Sequence, residues 1–271
     1  MTTQNNANVL EKAKELKFYG ILEHHEEIED KIDLIQLIFN WEEAARADRS
    51  LARRLNSAHL GKFKPLAFFD WSWPKKCDRE LIEELMKVNF IKEATNIILC
   101  GPNGAGKSTI ACNIAHQAIL KGYTSLFVTA SDMLKELDTQ EGATALRRRI
   151  AHYTKPFLLV IDEVGYLSYS NRYADLLFEI ISQRYTKKST LITTNKSFTE
   201  WQEIFPNASC LISLIDRLVH DSEITSIEAD SYRVKESMER AARRKEARMI
   251  AKTKLKVAKN NTASDDETPP F

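Results

Sequence analysis

The eight residues Gly101-Pro102-Asn103-Gly104-Ala105-Gly106-Lys107-Ser108 constrain this chain more than any other stretch, because they match G-x-x-x-x-G-K-S/T in full. Their setting matters as much as their spelling. Ile97-Ile98-Leu99-Cys100 before them is a short apolar run that reads as a buried strand, and Ile110, Ile114, Ala115 and Ala118 after them fall at helical spacing. A strand, a glycine-rich loop and a helix in that order make a phosphate cradle. Glycines let backbone N–H groups curl around phosphate oxygens, and the helix N-terminus adds the positive end of its dipole. In such a loop Lys107 reaches the β- and γ-phosphates, and the Ser108 hydroxyl completes a Mg²⁺ shell. Gly101, Asn103, Gly104, Ala105, Gly106, Lys107, Ser108 and Thr109 are the expected nucleotide-contacting positions. A chance match in a glycine turn would not be framed by both a strand and a helix.

The rest of the chain supplies a sheet for that loop. Short apolar runs at 126–129, 157–161, 190–194 and 223–228 join 97–100 as five strands. Helical patterns separate them at Ser131–His152, with Ser131 as N-cap, at Tyr173–Arg184 and at Ile212–His220. Strands alternating with helices predict an α/β fold, a five-stranded parallel sheet covered by helices. The 271 residues leave room for a smaller unit beside it. Residues 1–62 read as a small all-helical N-terminal domain, in which Leu34, Leu37, Ile38, Trp41 and Ala45 form the apolar stripe of an amphipathic helix. Residues 63–77 are a proline-broken linker rich in aromatics (Phe63, Phe68, Phe69, Trp71, Trp73), expected to pack onto the next domain rather than border a nucleotide base. Residues 78–235 hold the sheet. Residues 236–271 form a basic, helix-prone arm ending in an acidic stub at Asp265-Asp266-Glu267.

A net charge of +1 says nothing about partners, but its distribution does. Arg46, Arg49, Arg53 and Arg54 line one helix face, Arg147-Arg148-Arg149 sit together, and Arg243-Arg244-Lys245 fall in the arm. Each cluster reads either as a solvated surface or as a phosphate-contacting, DNA-binding one. No apolar run approaches a membrane span, and the polar start lacks a signal core. Four cysteines without a C-x-x-C pair point to a reduced, cytoplasmic compartment.

The strand ending in Asp162-Glu163 supplies what nucleotide hydrolysis requires. Asp162 can hold Mg²⁺ through water, and Glu163 can polarise a water for in-line attack on the γ-phosphate. Asn195, at the tip of the following strand, is placed to sense the γ-phosphate. Arg217 and Arg233 are candidates for neutralising charge in phosphoryl transfer, or are surface salt-bridge partners, and spacing does not separate the two.

Together, Gly101–Ser108, Asp162-Glu163-Val164-Gly165-Tyr166, Thr194-Asn195, Asp216-Arg217-Leu218-Val219-His220 and Ser231-Tyr232-Arg233 resemble the IstB-like ATPases, the helpers of insertion-sequence transposases. The chain is similar also to the DnaC and DnaI helicase loaders, in the initiator branch of the AAA+ ATPases. The resemblance implies ATP and Mg²⁺ as cofactors, Ser108 and Asp162 as the metal-holding residues, Glu163 as the water-activating residue and Asn195 as the first sensor. It implies Arg217 as a finger acting on the ATP of a neighbouring subunit, Arg233 as the second sensor of its own site, and the Arg147–Arg149 region as an extra helix that shapes a spiral assembly. It implies a homo-oligomer with nucleotide between subunits, duplex DNA and a cognate transposase as partners, and no membrane. A helicase loader working on single-stranded DNA is the alternative. A small-molecule phosphotransferase would need an acceptor pocket that the sequence does not show, and Glu163 argues against a scaffold without turnover. The chain departs from full AAA+ ATPases in having no patterned helical lid after Arg233.

Overall fold

The computed structural model describes residues 2–165, 170–206 and 208–263, with side chains described for 7–249 apart from 28 and 29 and the two gaps. Tyr166 and the acidic stub from Asp265 lie outside the described residues. The expected parallel sheet is present. Its strands are β1 (Asn96–Cys100), β2 (Ser125–Thr129), β3 (Leu158–Val164), β4 (Ser189–Thr194) and β5 (Ser222–Ser226), in the order β2-β3-β4-β1-β5. All pairs are parallel, with Ile97 opposite Leu191 and Ile98 opposite Ile224.

The apolar runs explain the layering. Alternate residues of a strand face opposite sides, so Leu159 and Ile161 enter one core while Leu158 and Val160 enter the other. The first core is closed by α6 (Ala130–Asp138), α7 (Ala143–Thr154), α8 (Asn171–Arg184), α9 (Trp201–Ile204) and α10 (Leu211–Val219). The second is closed by α4 (Arg79–Leu85) and α5 (Lys107–Leu120). Both faces are covered, as a parallel sheet requires.

Three local expectations are corrected. The predicted helix 131–152 is two helices, broken at Gly142, whose φ of 88° a helix interior does not allow. Its N-cap is Thr129, whose hydroxyl accepts the Asp132 N–H at 3.1 Å, and not Ser131. The third is the stripe in the N-terminal region. There α1 (Thr2–Leu16) and α2 (Tyr19–Glu23) lead to α3 (Ile32–Ser57), and Val9, Ala13 and Leu16 pack on Ile35 and Phe39. Leu34, Leu37, Ile38, Trp41 and Ala45, the predicted stripe, stand outside that contact, with Trp41 63% exposed. α1 covers one face of the first half of α3, and the sequence carries apolar residues on two.

The C-terminal end of α3 docks on the sheet-bearing core. Arg54 Nε donates to the Ile119 carbonyl at 3.3 Å. The Phe127 N–H donates to the Ala58 carbonyl at 2.8 Å, which blunts β2, an edge strand. After β5 the chain enters one long helix, α11 (Tyr232–Ala263).

Candidate nucleotide-binding site

β4 lies between β1 and β3, so the phosphate loop and the acidic pair are separated by one strand, and the tip of that strand joins them. The site therefore forms at the C-terminal ends of three strands, where open parallel sheets place ligands. Ser108 Oγ donates to Asp162 Oδ1 at 2.9 Å. Thr193 Oγ1 donates to the same oxygen at 2.5 Å and accepts the Glu163 N–H at 2.9 Å. Asp162 and Thr193 are both buried. Thr193 thus ties the two acidic residues to each other and to β4. The sequence singled out its neighbour Asn195 and passed over Thr193. The run Thr193-Thr194 at a strand tip was the available signal.

Past Ile161 the β3–β4 register shifts, and Glu163 takes φ 63°, a left-handed conformation that costs energy for a residue with a Cβ. The shift turns Glu163 out of the sheet, where it is half-buried. Asn195 Oδ1 is buried with no hydrogen-bond partner. A Cβ added at Gly165 would lie 3.2 Å from that oxygen, which places Asn195 beside the chain leaving Glu163. An unpaired buried amide oxygen at a strand tip is a vacant polar position.

The loop itself is closed down on by its neighbours. Gly104 (φ 80°) and Gly106 (φ 98°) need glycine twice over. A Cβ at Gly104 would come within 2.4 Å of Ser231 Oγ, and one at Gly106 within 2.5 Å of the Phe69 ring. Lys107 is buried and its Nζ donates to the carbonyls of Gly101 (2.7 Å) and Pro102 (2.9 Å). Burial pushes its pKa down, and the nearby Asp162 carboxylate opposes that shift. A buried ammonium held by neutral carbonyls is a strong attractor of anions.

A cavity of about 220 Å³ continues from the loop. One wall is the aromatic linker, with Phe68, Phe69 and Trp73, and the other is the first turn of α11, with Tyr232, Arg233 and Glu236. The linker was expected to pack onto the next domain; it does, and it also lines this cavity. Phe69, Trp71 and Trp73 rest on the α4–α5 core, while Phe68 stays 73% exposed at the cavity. Buried Asn113 on α5 pins the linker: its Oδ1 accepts the Leu66 N–H at 2.8 Å, and its Nδ2 donates to the Lys64 carbonyl at 2.9 Å. The two walls are clasped together. Trp73 Nε1 donates to the Asp230 carbonyl at 2.9 Å, Lys235 Nζ pairs with Asp70 at 3.0 Å, and that ammonium lies 4.4 Å from the centre of the Trp73 ring.

The predicted residues divide by position. Gly101 to Thr109, Asp162, Glu163, Asn195 and the exposed Arg233 gather around the loop and cavity. Arg217 does not. It donates to Ser182 Oγ and stacks 4.6 Å from the Phe178 ring centre. Its own carbonyl neighbours Asn96 at the start of β1, the opposite end of the sheet. Among the basic clusters, Arg46 and Arg49 pair with Glu42, Arg54 is spent on packing, and Arg149 pairs with Glu136 over the Tyr153 ring. Arg53, Arg147, Arg148, Arg243, Arg244 and Lys245 are exposed.

With this geometry, the family described as IstB-like ATP binding protein matches residues 20–241. The chain belongs to that family. Among its IstB-like relatives, the chain is 35% identical over 188 residues to a protein of Geobacillus stearothermophilus named for ATP binding and for insertion sequence IS5376, covering 69% of this chain and 75% of that one. It is 32% identical over 191 residues to the similarly named IS21 protein of Pseudomonas aeruginosa, covering 70% and 72%. The fold is like that of the crystal structure of DnaI, with a TM-score of 0.51 at 16% identity, covering 64% of this chain and 92% of that chain. The IstB-like chain is thus a P-loop protein of an ATP-binding family, with a five-stranded parallel sheet. Among the described residues no helix is long and apolar enough to cross a membrane.

Proposed function

We propose that this IstB-like protein is a Mg²⁺-dependent ATPase that assembles with ATP on duplex DNA in the cytoplasm and delivers or regulates target DNA for a partner transposase. The observation that carries the ATPase reading is the triangle Ser108–Asp162–Thr193 beneath the loop, with Glu163 bonded to its third corner. The insertion-sequence names of the relatives support the transposition reading over helicase loading.

The residues fit ATP with Mg²⁺. The loop is a glycine cradle, Lys107 is a desolvated cation with only carbonyl partners, and Asn195 has an unpaired oxygen that can accept from a water beside the phosphates. No group of three or more His, Cys, Asp or Glu side chains converges among the described residues. A hydroxyl with one carboxylate is the donor set of a Mg²⁺ that keeps its waters and binds phosphates. Ser108 and Asp162 would hold the ion, whose chemistry is neutralisation of charge across the β- and γ-phosphates.

Lys107 exchanges its carbonyl partners for phosphate oxygens. Glu163, held at a fixed height by the bond from its N–H to Thr193, accepts hydrogen bonding from a water in line with the γ-phosphate. Asn195 fixes that water or the γ-phosphate. Phe68 and the Trp73–Tyr232 pair enclose the base end, and Arg233 adds positive charge from α11. Arg217 sits at the far end of the sheet from its own site, and the family resemblance gives it the role of a finger on the nucleotide of a neighbouring subunit. A supplied arginine raises phosphoryl-transfer rates by about 10³–10⁵.

The test is the particle mass of Glu163→Gln protein with ATP, with and without duplex DNA. A large, defined assembly that needs both supports the reading. A monomer under every condition refutes the shared site, and assembly with single strands alone moves the protein to helicase loading.

A further inference from the structure

Arg217 is held differently from the paired arginines of this chain. Arg46, Arg79, Arg149 and Arg172 each meet a carboxylate. Arg217 pairs with none among the described residues, and its side-chain partners are a hydroxyl and two rings. Its Nη1 donates to Ser182 Oγ, and its guanidinium carbon lies 4.6 Å from the centre of the Phe178 ring and 5.9 Å from that of Tyr185. Phe178, Ser182 and Tyr185 stand at i, i+4 and i+7, one face of α8 and of the residue that follows it.

The cradle is itself fixed. Ser182 Oγ donates its proton to the Phe178 carbonyl at 2.5 Å, which leaves its lone pairs for Arg217. Tyr185 meets His220 edge-on, with ring centres 5.7 Å apart. The backbone of Arg217 is anchored separately. Buried Asn96 donates from Nδ2 to the Leu218 carbonyl at 3.2 Å and accepts the Thr190 N–H at 2.9 Å, which ties the last turn of α10 to the starts of β1 and β4.

The choice of partners has a physical meaning. A carboxylate would neutralise the charge that an arginine has to deliver to a phosphate. A ring face and a hydroxyl orient the guanidinium and leave its charge intact. Stacking sets the plane of the group, and the bond to Ser182 sets its rotation within that plane. The N–H groups that remain form an open fork for phosphate oxygens. An unheld arginine would spread over many rotamers and lose that freedom anew at each engagement.

We propose that Phe178 and Ser182, with Tyr185 completing the cradle, are positioning residues that preset Arg217 for the nucleotide of a neighbouring subunit. The inference rests on the reading of Arg217 as that subunit's finger. The three residues act through Arg217, at the far end of the sheet from their own phosphate loop.

The experiment is steady-state ATP hydrolysis by full-length protein with duplex DNA, for wild type, Phe178→Leu, Phe178→Tyr, Ser182→Ala and Arg217→Ala. Leucine fills much of the ring's volume but offers no face, and a finger displaced by about 1 Å should lower kcat about 10–10²-fold. The KM for ATP should stay within about twofold, because the protein's own site is untouched. Ser182→Ala should lower kcat about fivefold, the effect of one hydrogen bond. Phe178→Tyr keeps the ring face and should restore kcat. Mixing separates positioning from folding. Glu163→Gln protein carries an intact finger, so it should restore hydrolysis at the intact sites of Phe178→Leu protein, whereas Arg217→Ala protein should not. A loss in Phe178→Leu that Glu163→Gln does not restore overturns the proposal. So does raised turnover in Phe178→Leu, which would make the cradle a restraint. If Arg217→Ala is inactive while Phe178→Leu and Ser182→Ala both match wild type, the cradle alone falls. If Arg217→Ala turns over like wild type, the finger reading falls and the cradle with it.

Discussion

Replacing Thr193 by valine tests the centre of the site with almost no change of shape. The methyl of valine fills the space of the hydroxyl, so no cavity opens and the effect is one of hydrogen bonding. Two bonds are lost, one donated to the Asp162 carboxylate and one accepted from the Glu163 N–H. A hydrogen bond to a charged group contributes about 1.5–3 kcal/mol, and a buried donor left unpaired costs about 1–3 kcal/mol. The two overlap, so a loss of about 2–4 kcal/mol is expected, which lowers the midpoint of unfolding by roughly 5–12 °C in a protein of this size. Turnover should fall more than tenfold, because Glu163 loses the bond that fixes its strained backbone, while the Michaelis constant for ATP changes little. Thermal unfolding by circular dichroism and a phosphate-release assay read the two effects. Thr193→Ser keeps both bonds and should restore both. A valine variant with wild-type midpoint and turnover would refute the role assigned to the hydroxyl.

Asn113→Leu frees the linker from α5 and removes one wall of the cavity. The dissociation constant for a fluorescent ATP analogue should rise about tenfold with a smaller change in turnover number, and an equal fall in both would point to general misfolding. Glu200 is held well below its ordinary pKa, at about 2, by the Ser197 N–H and hydroxyl and by Lys196. A carboxylate lowered in the folded state gives stability that is full above about pH 4.5 and is lost as pH falls towards 2. In Glu200→Gln protein, unfolding titrations should therefore show a shallower pH dependence across that window, by up to one proton, and an unchanged slope would refute the anchoring. Arg217→Ala and Glu163→Gln proteins should each hydrolyse little ATP alone. Mixing them should recover part of the activity, since one supplies the finger and the other an intact site. Full activity of Arg217→Ala alone would remove the shared-site mechanism.

The sheet and the loop were legible because they are written locally. Consecutive apolar residues mark buried strands, and Gly101–Ser108 carries its geometry in its glycines. What escaped notice depends on pairing between distant segments. Asp70 lies in the stretch that the sequence reads as a linker and Lys235 at the far end of the sheet-bearing domain, and only the fold shows them on two walls of one cavity. The same holds for Thr193, whose importance comes from the position of β4 between β1 and β3. The Leu34–Trp41 stripe misled for the opposite reason. Periodicity marks a helix face as apolar without saying which partner covers it, and α1 covers the neighbouring face. Arg184 is the extreme case. It is buried with no carboxylate partner among the described residues, and it donates to Thr190 Oγ1 and to the carbonyls of Pro156 and Ser189, a staple across the base of the sheet that no motif announces.

α11 has one further consequence. Its first turn is a wall of the cavity, and the same unbroken helix carries Arg243, Arg244 and Lys245 into solvent. With a rise of 1.5 Å per residue, its 32 residues make a rod about 48 Å long. A rod pivoting at one end multiplies motion: a tilt of about 10° at the pocket displaces the far tip by roughly 8 Å over that length. A tilt of the helix at the cavity wall would swing the basic arm, so the geometry couples the shape of a small cavity to where positive charge is presented in space.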